Sequence, residues 1–142
     1  MKSIFVGFMV LLFSMSFAVA AKEKGDKVVP TVDKRGIVVQ VTDDNKLNMA
    51  LTNAINTRAL MPTTEIEVIV YGPAINMLKS DTPAAGKIDA AREKNIHVIA
   101  CEESMKNFKI TKADMYRDME YVPFGLEAIV KRQFGGWAYA RP

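Results

Sequence analysis

One cysteine, one histidine and one tryptophan in 142 residues remove whole classes of explanation. A lone Cys101 cannot form an internal disulfide, so the packed core must hold the fold without covalent staples. It has no CxxC partner and no resolving thiol, and any sulfur chemistry at this position needs a second molecule. Glycine is missing where a nucleotide would want it. The turn after the first apolar run reads "VTDDNK" and carries Asp43 and Asp44 at the start of a helix, where two carboxylates repel a phosphate. That argues against a dinucleotide fingerprint or P-loop and reads more simply as helix capping. Charge of one sign is also lacking. Nineteen basic and sixteen acidic residues give a net charge of +3, interspersed without a basic stripe and without interleaved aromatics, which offers nucleic acid no footprint.

The one long uncharged run is at the beginning. Lys2 precedes an apolar stretch from Ile4 to Phe17, and Ala18-Val19-Ala20 supplies a small-residue exit, so residues 1–20 read as a secretory signal peptide. A periplasmic or secreted location is expected, with no stable membrane insertion once the segment is cleaved. Cleavage after Ala20 leaves 122 residues with a net charge of +2, which suits one domain. Residues 21–35 are charged and aperiodic and read as a flexible lead-in to a domain at 36–142.

Within that domain, "GIVVQV", "EIEVIVYG" and "IHVIAC" are Val/Ile-rich runs whose isoleucines 37, 66 and 96 stand 29 and 30 residues apart. This is the length of a βαβ unit, and the unbroken hydrophobicity predicts parallel strands covered on both faces. Helical patterns fill the gaps. Leu47, Leu51, Ala54 and Ile55 share a face after an Asp43 or Asp44 cap and stop at Pro62. A short turn follows Pro73, and Thr82-Pro83 opens a helix carrying Ile88 and Ala91 to Asn95. Met105 and Phe108 mark a short helix, and Thr111 with Asp114 forms a capping-box pattern. After Val122-Pro123 come Leu126, Ile129, Val130 and Phe134 at helical spacing, ended by Gly135-Gly136. No apolar stripe exceeds what the chain's own core would use. "WAYAR" alternates as a final strand, with Trp137, Tyr139 and Arg141 on one face for core or interface packing. The expectation is an α/β three-layer sandwich with a mostly parallel sheet of five strands.

Ligands and chemistry in such sheets collect beyond the carboxyl ends of the strands. Three stretches arrive there: "VTDDNK", Tyr71-Gly72-Pro73 and "CEES". Gly72 serves the strand-to-helix turn or a close backbone approach. Cys101 closes the third strand and precedes a helix whose amides would stabilise a thiolate, whereas Glu102 and Glu103 oppose negative charge on the sulfur. On these grounds alone a working thiol and a buried filler both stand. His97 shares the strand, but four residues span roughly 13 Å, too far for a Cys–His hydrogen bond, so a seat in the sheet or at its edge is expected. No carboxylate metal site is proposed, since too few ligands converge.

The stretches "EVIVYGPAINMLKSD", "AAREKNIHVIACEESMKNFKITKADM" and "YVPFGLEAIVKRQFGGWAYARP" resemble the DsrE/DsrF-like family in its small exported single-domain form. The telling features are the cysteine after the third strand, the VP-x-G turn, and the RQ-x-x-GW-x-Y-x-R-P ending. The resemblance implies a DsrE/F-like parallel-sheet domain that assembles into homo-oligomers, commonly trimers or hexamers, with no metal or organic cofactor. It also implies that Cys101 takes up sulfane sulfur as a persulfide from a donor and passes it to an acceptor, in the manner of a sulfur carrier or sulfurtransferase. The alternatives are a non-catalytic oligomeric binding module with Cys101 as packing, and a redox-sensing thiol that forms a mixed disulfide.

Overall fold

A computed structural model describes residues 35–142, so the signal peptide, and the lead-in apart from Arg35, lie outside the described residues. The three Val/Ile runs are strands β1 (Ile37–Val41), β2 (Ile66–Val70) and β3 (Ile96–Cys101), joined by β4 (Glu120–Val122) and β5 (Ala138–Ala140). They form one sheet in the order β4-β3-β2-β1-β5, and every neighbouring pair is parallel. The repeat seen in the sequence has a direct spatial meaning. Ile37 pairs with Ile66 and Ile66 with Ile96, so the three isoleucines stand side by side at the entry to the sheet.

Four α-helices flank the strands: α1 (Leu47–Leu60), α2 (Ala85–Arg92), α3 (Glu102–Asn107) and α4 (Gly125–Phe134). Val39, Val41, Val68, Val70 and Val98 pack on one face against Leu47 and Leu51 of α1, Ile88 of α2 and Met105 of α3. Val38, Ile69 and Ile99, one residue out of phase, pack on the other face against Ile129 of α4. Alternation along each strand thus sends side chains into two cores, giving the expected three layers. Each fully buried Leu or Ile contributes about 1.5–3 kcal/mol by leaving water.

Among the described residues a single helix covers the second face, and polar groups remain beneath it. Glu67 of β2 is buried there and accepts two hydrogen bonds from the Arg132 guanidinium, at 2.8 and 2.6 Å. Arg132 also lies over the Trp137 ring, 5.1 Å from its centroid. Trp137 in turn fills the space that a side chain at position 36 would need, since a Cβ on Gly36 would sit 2.5 Å from the ring.

Several local expectations change in detail. Thr82 acts one turn before α2: its Oγ1 accepts the Ala84 N–H at 3.1 Å, and the α-helix proper starts at Ala85. Asp43 occupies the cap position of a 3-10 turn at Asp44–Lys46 without making a side-chain cap bond. Thr111 and Asp114 do form the reciprocal capping box. The larger correction concerns α4. Of its apolar residues Ile129 is buried, whereas Leu126, Val130 and Phe134 are exposed, the last by 86%. A stripe surplus to the core is therefore present, contrary to the sequence expectation.

Candidate functional site at the carboxyl edge of the sheet

Cys101 is the last residue of β3 and the N-cap of α3. The strand's final parallel contact sets Cys101 opposite Val122 of β4, so the turn leaving β4 begins beside the sulfur. That turn runs through Pro123 and Phe124 into α4. Its Pro123 carbonyl accepts the Glu103 N–H at 3.1 Å, tying the starts of α3 and α4 together.

Two backbone amides converge on Sγ. Ser104 N–H donates from the first turn of α3 at 3.4 Å, and Gly125 N–H donates from the start of α4 at 3.2 Å. Unpaired amides at helix starts are the groups that solvate negative charge, so this geometry can hold a sulfur-centred anion. Cys101 is 2% exposed. Its enclosure is therefore polar on one side and is not lined by aliphatic groups alone.

Two glycines make the approach possible. Gly125 brings its amide close because it has no side chain: an added Cβ would lie 3.1 Å from Tyr71 Cβ and 3.3 Å from Cys101 Cβ. Gly72 follows β2 with φ +61°, a left-handed conformation that glycine adopts freely. Its N–H donates to Ser104 Oγ at 2.9 Å. The Ser104 side chain thereby joins the turn after β2 to α3 while its own amide reaches the sulfur.

Tyr71 packs against this cluster, and burial pushes its phenol above the usual range. Tyr139 adds to the rise, Arg141 opposes it and the Cys101 sulfur adds further, so these four groups share one electrostatic environment. Tyr139 OH donates to Gln40 Oε1, and Arg141 Nη2 lies 3.3 Å from Thr42 Oγ1 and 3.7 Å from the Asp43 carboxylate. Asp43 is thus the partner of a C-terminal cation. Glu102 is drawn off by Lys112 at 2.8 Å, and that pairing holds the ammonium above its ordinary range.

The sequence-derived candidates therefore separate. Cys101, Tyr71 and Gly72 come together. His97 does not join them: its Nδ1 lies 3.0 Å from Glu120 Oε1, a cross-strand pair between β3 and β4. Ser104 and Gly125 were not among the candidates. The helical start after Cys101 points to Ser104, whereas Gly125, the glycine of the VP-x-G turn, is 24 residues away and nothing local ties it to the sulfur. Among the described residues no three His, Cys, Asp or Glu side chains converge on a metal site, and no helix is long and apolar enough to cross a membrane.

Comparisons with solved structures agree with this architecture. A protein of unknown function, MTH1491 from Methanobacterium thermoautotrophicum, superposes with a TM-score of 0.69 at 26% identity, covering 78% of this chain and all of that one. BT1422 from Bacteroides thetaiotaomicron, also of unknown function, gives a TM-score of 0.64 at 19% identity, with coverage of 76% and 95%. The ychN protein from E. coli gives 0.64 at 14% identity, with coverage of 76% and 99%, a likeness of fold alone. No curated protein sequence matches. The family model of the DsrE/DsrF-like family matches residues 33–139, from before β1 to the middle of β5 and including all four helices of the described residues, and the chain belongs to that family.

Proposed function

We propose that this protein is an exported sulfur carrier or sulfurtransferase-like protein in which Cys101 takes up sulfane sulfur and passes it on as a persulfide. The observation that carries the reading is the pair of amide donors on Cys101 Sγ, from Ser104 and Gly125. Membership of a family associated with sulfur relay supports it. In the loading step the Cys101 thiolate attacks the terminal sulfur of a donor persulfide. The donor's S–S bond breaks, the donor leaves as a thiolate, and a new S–S bond forms on Cys101. Unloading is the same exchange run toward an acceptor thiolate, and neither step needs an external oxidant or reductant. The amides would stabilise whichever sulfur carries the charge. Because Cys101 is almost fully covered, exchange requires part of its cover to move aside.

Export rests on the signal-like residues 1–20. Donor and acceptor proteins, and a homo-oligomeric carrier (trimer or hexamer), are part of the same proposal, and the exposed face of α4 supports assembly. A second reading has its own observation. Burial of Cys101 to 2% favours a packing residue in a non-catalytic module of the same fold. Incubation with polysulfide followed by intact-mass measurement separates the two. The carrier gains about 32 Da, one sulfur atom, and loses it to a thiol acceptor. Cys101→Ser gains nothing. Absence of the adduct on folded, unmodified protein contradicts the proposal and leaves the packing role.

A further inference from the structure

The carboxyl edge of the sheet carries a row of side chains on the face that α4 covers. Val41, Val70 and Ala100 are level in the parallel register, so the residues that follow them, Thr42, Tyr71 and Cys101, stand in line across β1, β2 and β3. Cys101 has the parity of Ile99, and Tyr71 packs with Ile99 and Ile129, which puts the row on the side of α4. On β5, Tyr139 pairs with Val38 of that same core, and its hydroxyl donates to Gln40 Oε1. Arg141 closes the far end of the row, with Nη2 3.3 Å from Thr42 Oγ1 and 3.7 Å from the Asp43 carboxylate.

This far end has spare binding capacity. Both contacts of the guanidinium use Nη2, and among the described residues Nε and Nη1 have no partner. Asp43 makes no helix-cap bond, and its 3.7 Å pairing is longer than the about 2.7–2.9 Å of a charge-assisted hydrogen bond. The two side chains are 53% and 57% exposed, so a cation and an anion stand side by side, open to solvent and incompletely satisfied. An α-amino acid presents the opposite pair on a single carbon.

We propose, resting on the persulfide reading of Cys101, that the small donor is an α-amino acid persulfide, cysteine persulfide in the simplest case, with its carboxylate on Arg141 and its ammonium on Asp43. Length supports the match. Two strand spacings set Thr42 roughly 10 Å from Cys101 along the row, and the guanidinium stands 3.3 Å from Thr42 on the β5 side. Extended cysteine persulfide measures about 6 Å from terminal sulfur to carboxylate oxygen. With about 3.5 Å of approach at the sulfur and about 2.8 Å of hydrogen bond at the carboxylate, it spans about 12 Å, enough to join the two ends over the Tyr71 ring. The phenol of Tyr71 responds to both Arg141 and Cys101, as a group between them should. Loading follows the exchange already described: Sγ bonds to the terminal sulfur, the donor's S–S bond breaks, and cysteine leaves as a thiolate that takes a proton from water.

Three persulfides of similar length separate the contributions: cysteine persulfide, cysteamine persulfide without the carboxylate, and 3-mercaptopropionate persulfide without the ammonium. Intact mass against time gives the rate of the about 32 Da gain, and each rate is divided by that of the same persulfide with a free thiol in solution. Wild type should load from cysteine persulfide about tenfold faster than from either analogue, the effect of one hydrogen-bonded charge. Arg141→Gln should bring the cysteine-to-cysteamine ratio close to one, and Asp43→Asn the cysteine-to-mercaptopropionate ratio. Ratios within one variant cancel any change in access to Cys101. A second measurement needs no sulfur transfer: S-methylcysteine added to Cys101→Ser should shift the Arg141 side-chain NMR signal, and no shift overturns the inference. Equal normalised rates in wild type, or an advantage that survives both substitutions, overturn it and leave the persulfide reading standing. No mass gain from any persulfide or from polysulfide overturns both.

Discussion

Replacing Gly125 with alanine probes the site through a single methyl group. The new Cβ would meet Tyr71 Cβ at 3.1 Å, Tyr71 Cδ1 at 3.2 Å and Cys101 Cβ at 3.3 Å. Ordinary carbon contacts lie at about 3.5–4.0 Å, so three neighbours must each yield by a few tenths of an ångström. Two of the three are Cβ atoms, one bond from the strand backbone, and cannot swing away as the end of a long side chain would. The first turn of α4 is what gives. Overpacking of this kind costs about 1–3 kcal/mol. Alanine recovers up to about 1 kcal/mol through the lower backbone entropy of the unfolded chain, and less at a first helical position than in mid-helix. The net expectation is a loss of about 1–2 kcal/mol, read as a Tm lower by about 4 °C per kcal/mol for a domain of just over 100 residues. The same shift lengthens the 3.2 Å Gly125 N–H contact to Sγ and loosens the cover over Cys101. Alkylation of native protein should therefore be faster in Gly125→Ala than in wild type. An unchanged or higher Tm with unchanged labelling would refute the tight packing on which this reasoning depends.

Two further predictions concern groups outside the site. Arg132→Met leaves the Glu67 carboxylate, 5% exposed, without its bidentate partner, and should cost about 3 kcal/mol in denaturant unfolding. Adding Glu67→Gln should return much of that loss, and a strictly additive double variant would show that the pair is not coupled. Asp89 accepts from Tyr116 OH and Arg117 Nη2, and these contacts, the phenol first, hold its carboxyl below the usual range. Its contribution is thus present above the unfolded carboxylate's value of about 3.9 and is lost as pH falls through the lower folded value. The stability gap between wild type and Asp89→Asn should be constant near neutrality and close below about pH 4. A gap that widens on acidification contradicts the assignment.

Strands β1, β2 and β3 were legible because a strand buried on both faces needs Val and Ile at nearly every position, and the crossover length then fixes their spacing. Strand β4 was not located. Its three residues are partly or fully exposed, and it exists only through pairing with β3. This omission hid half of the site. Nothing local in "EYVPFG" says that Val122 will sit opposite Cys101, and without that register the amide of Gly125 cannot be placed on the sulfur. Helical spacing likewise identified an apolar face on α4, but assigning all of it to the core failed, because periodicity reports which residues share a face and not what packs there. Tyr71 and Gly72 were legible as arrivals at the carboxyl edge, since strand direction alone sends them there. Their tie to α3 through Ser104 depends on tertiary contact.

Native-state alkylation of Cys101, followed by mass against reagent concentration, tests most directly whether a sulfur held by two amides is also available for exchange. Labelling should be much faster than global unfolding, with a rate that saturates once opening of the cover over Cys101 becomes limiting. Labelling that proceeds only at the independently measured rate of global unfolding would contradict it and assign Cys101 to the core.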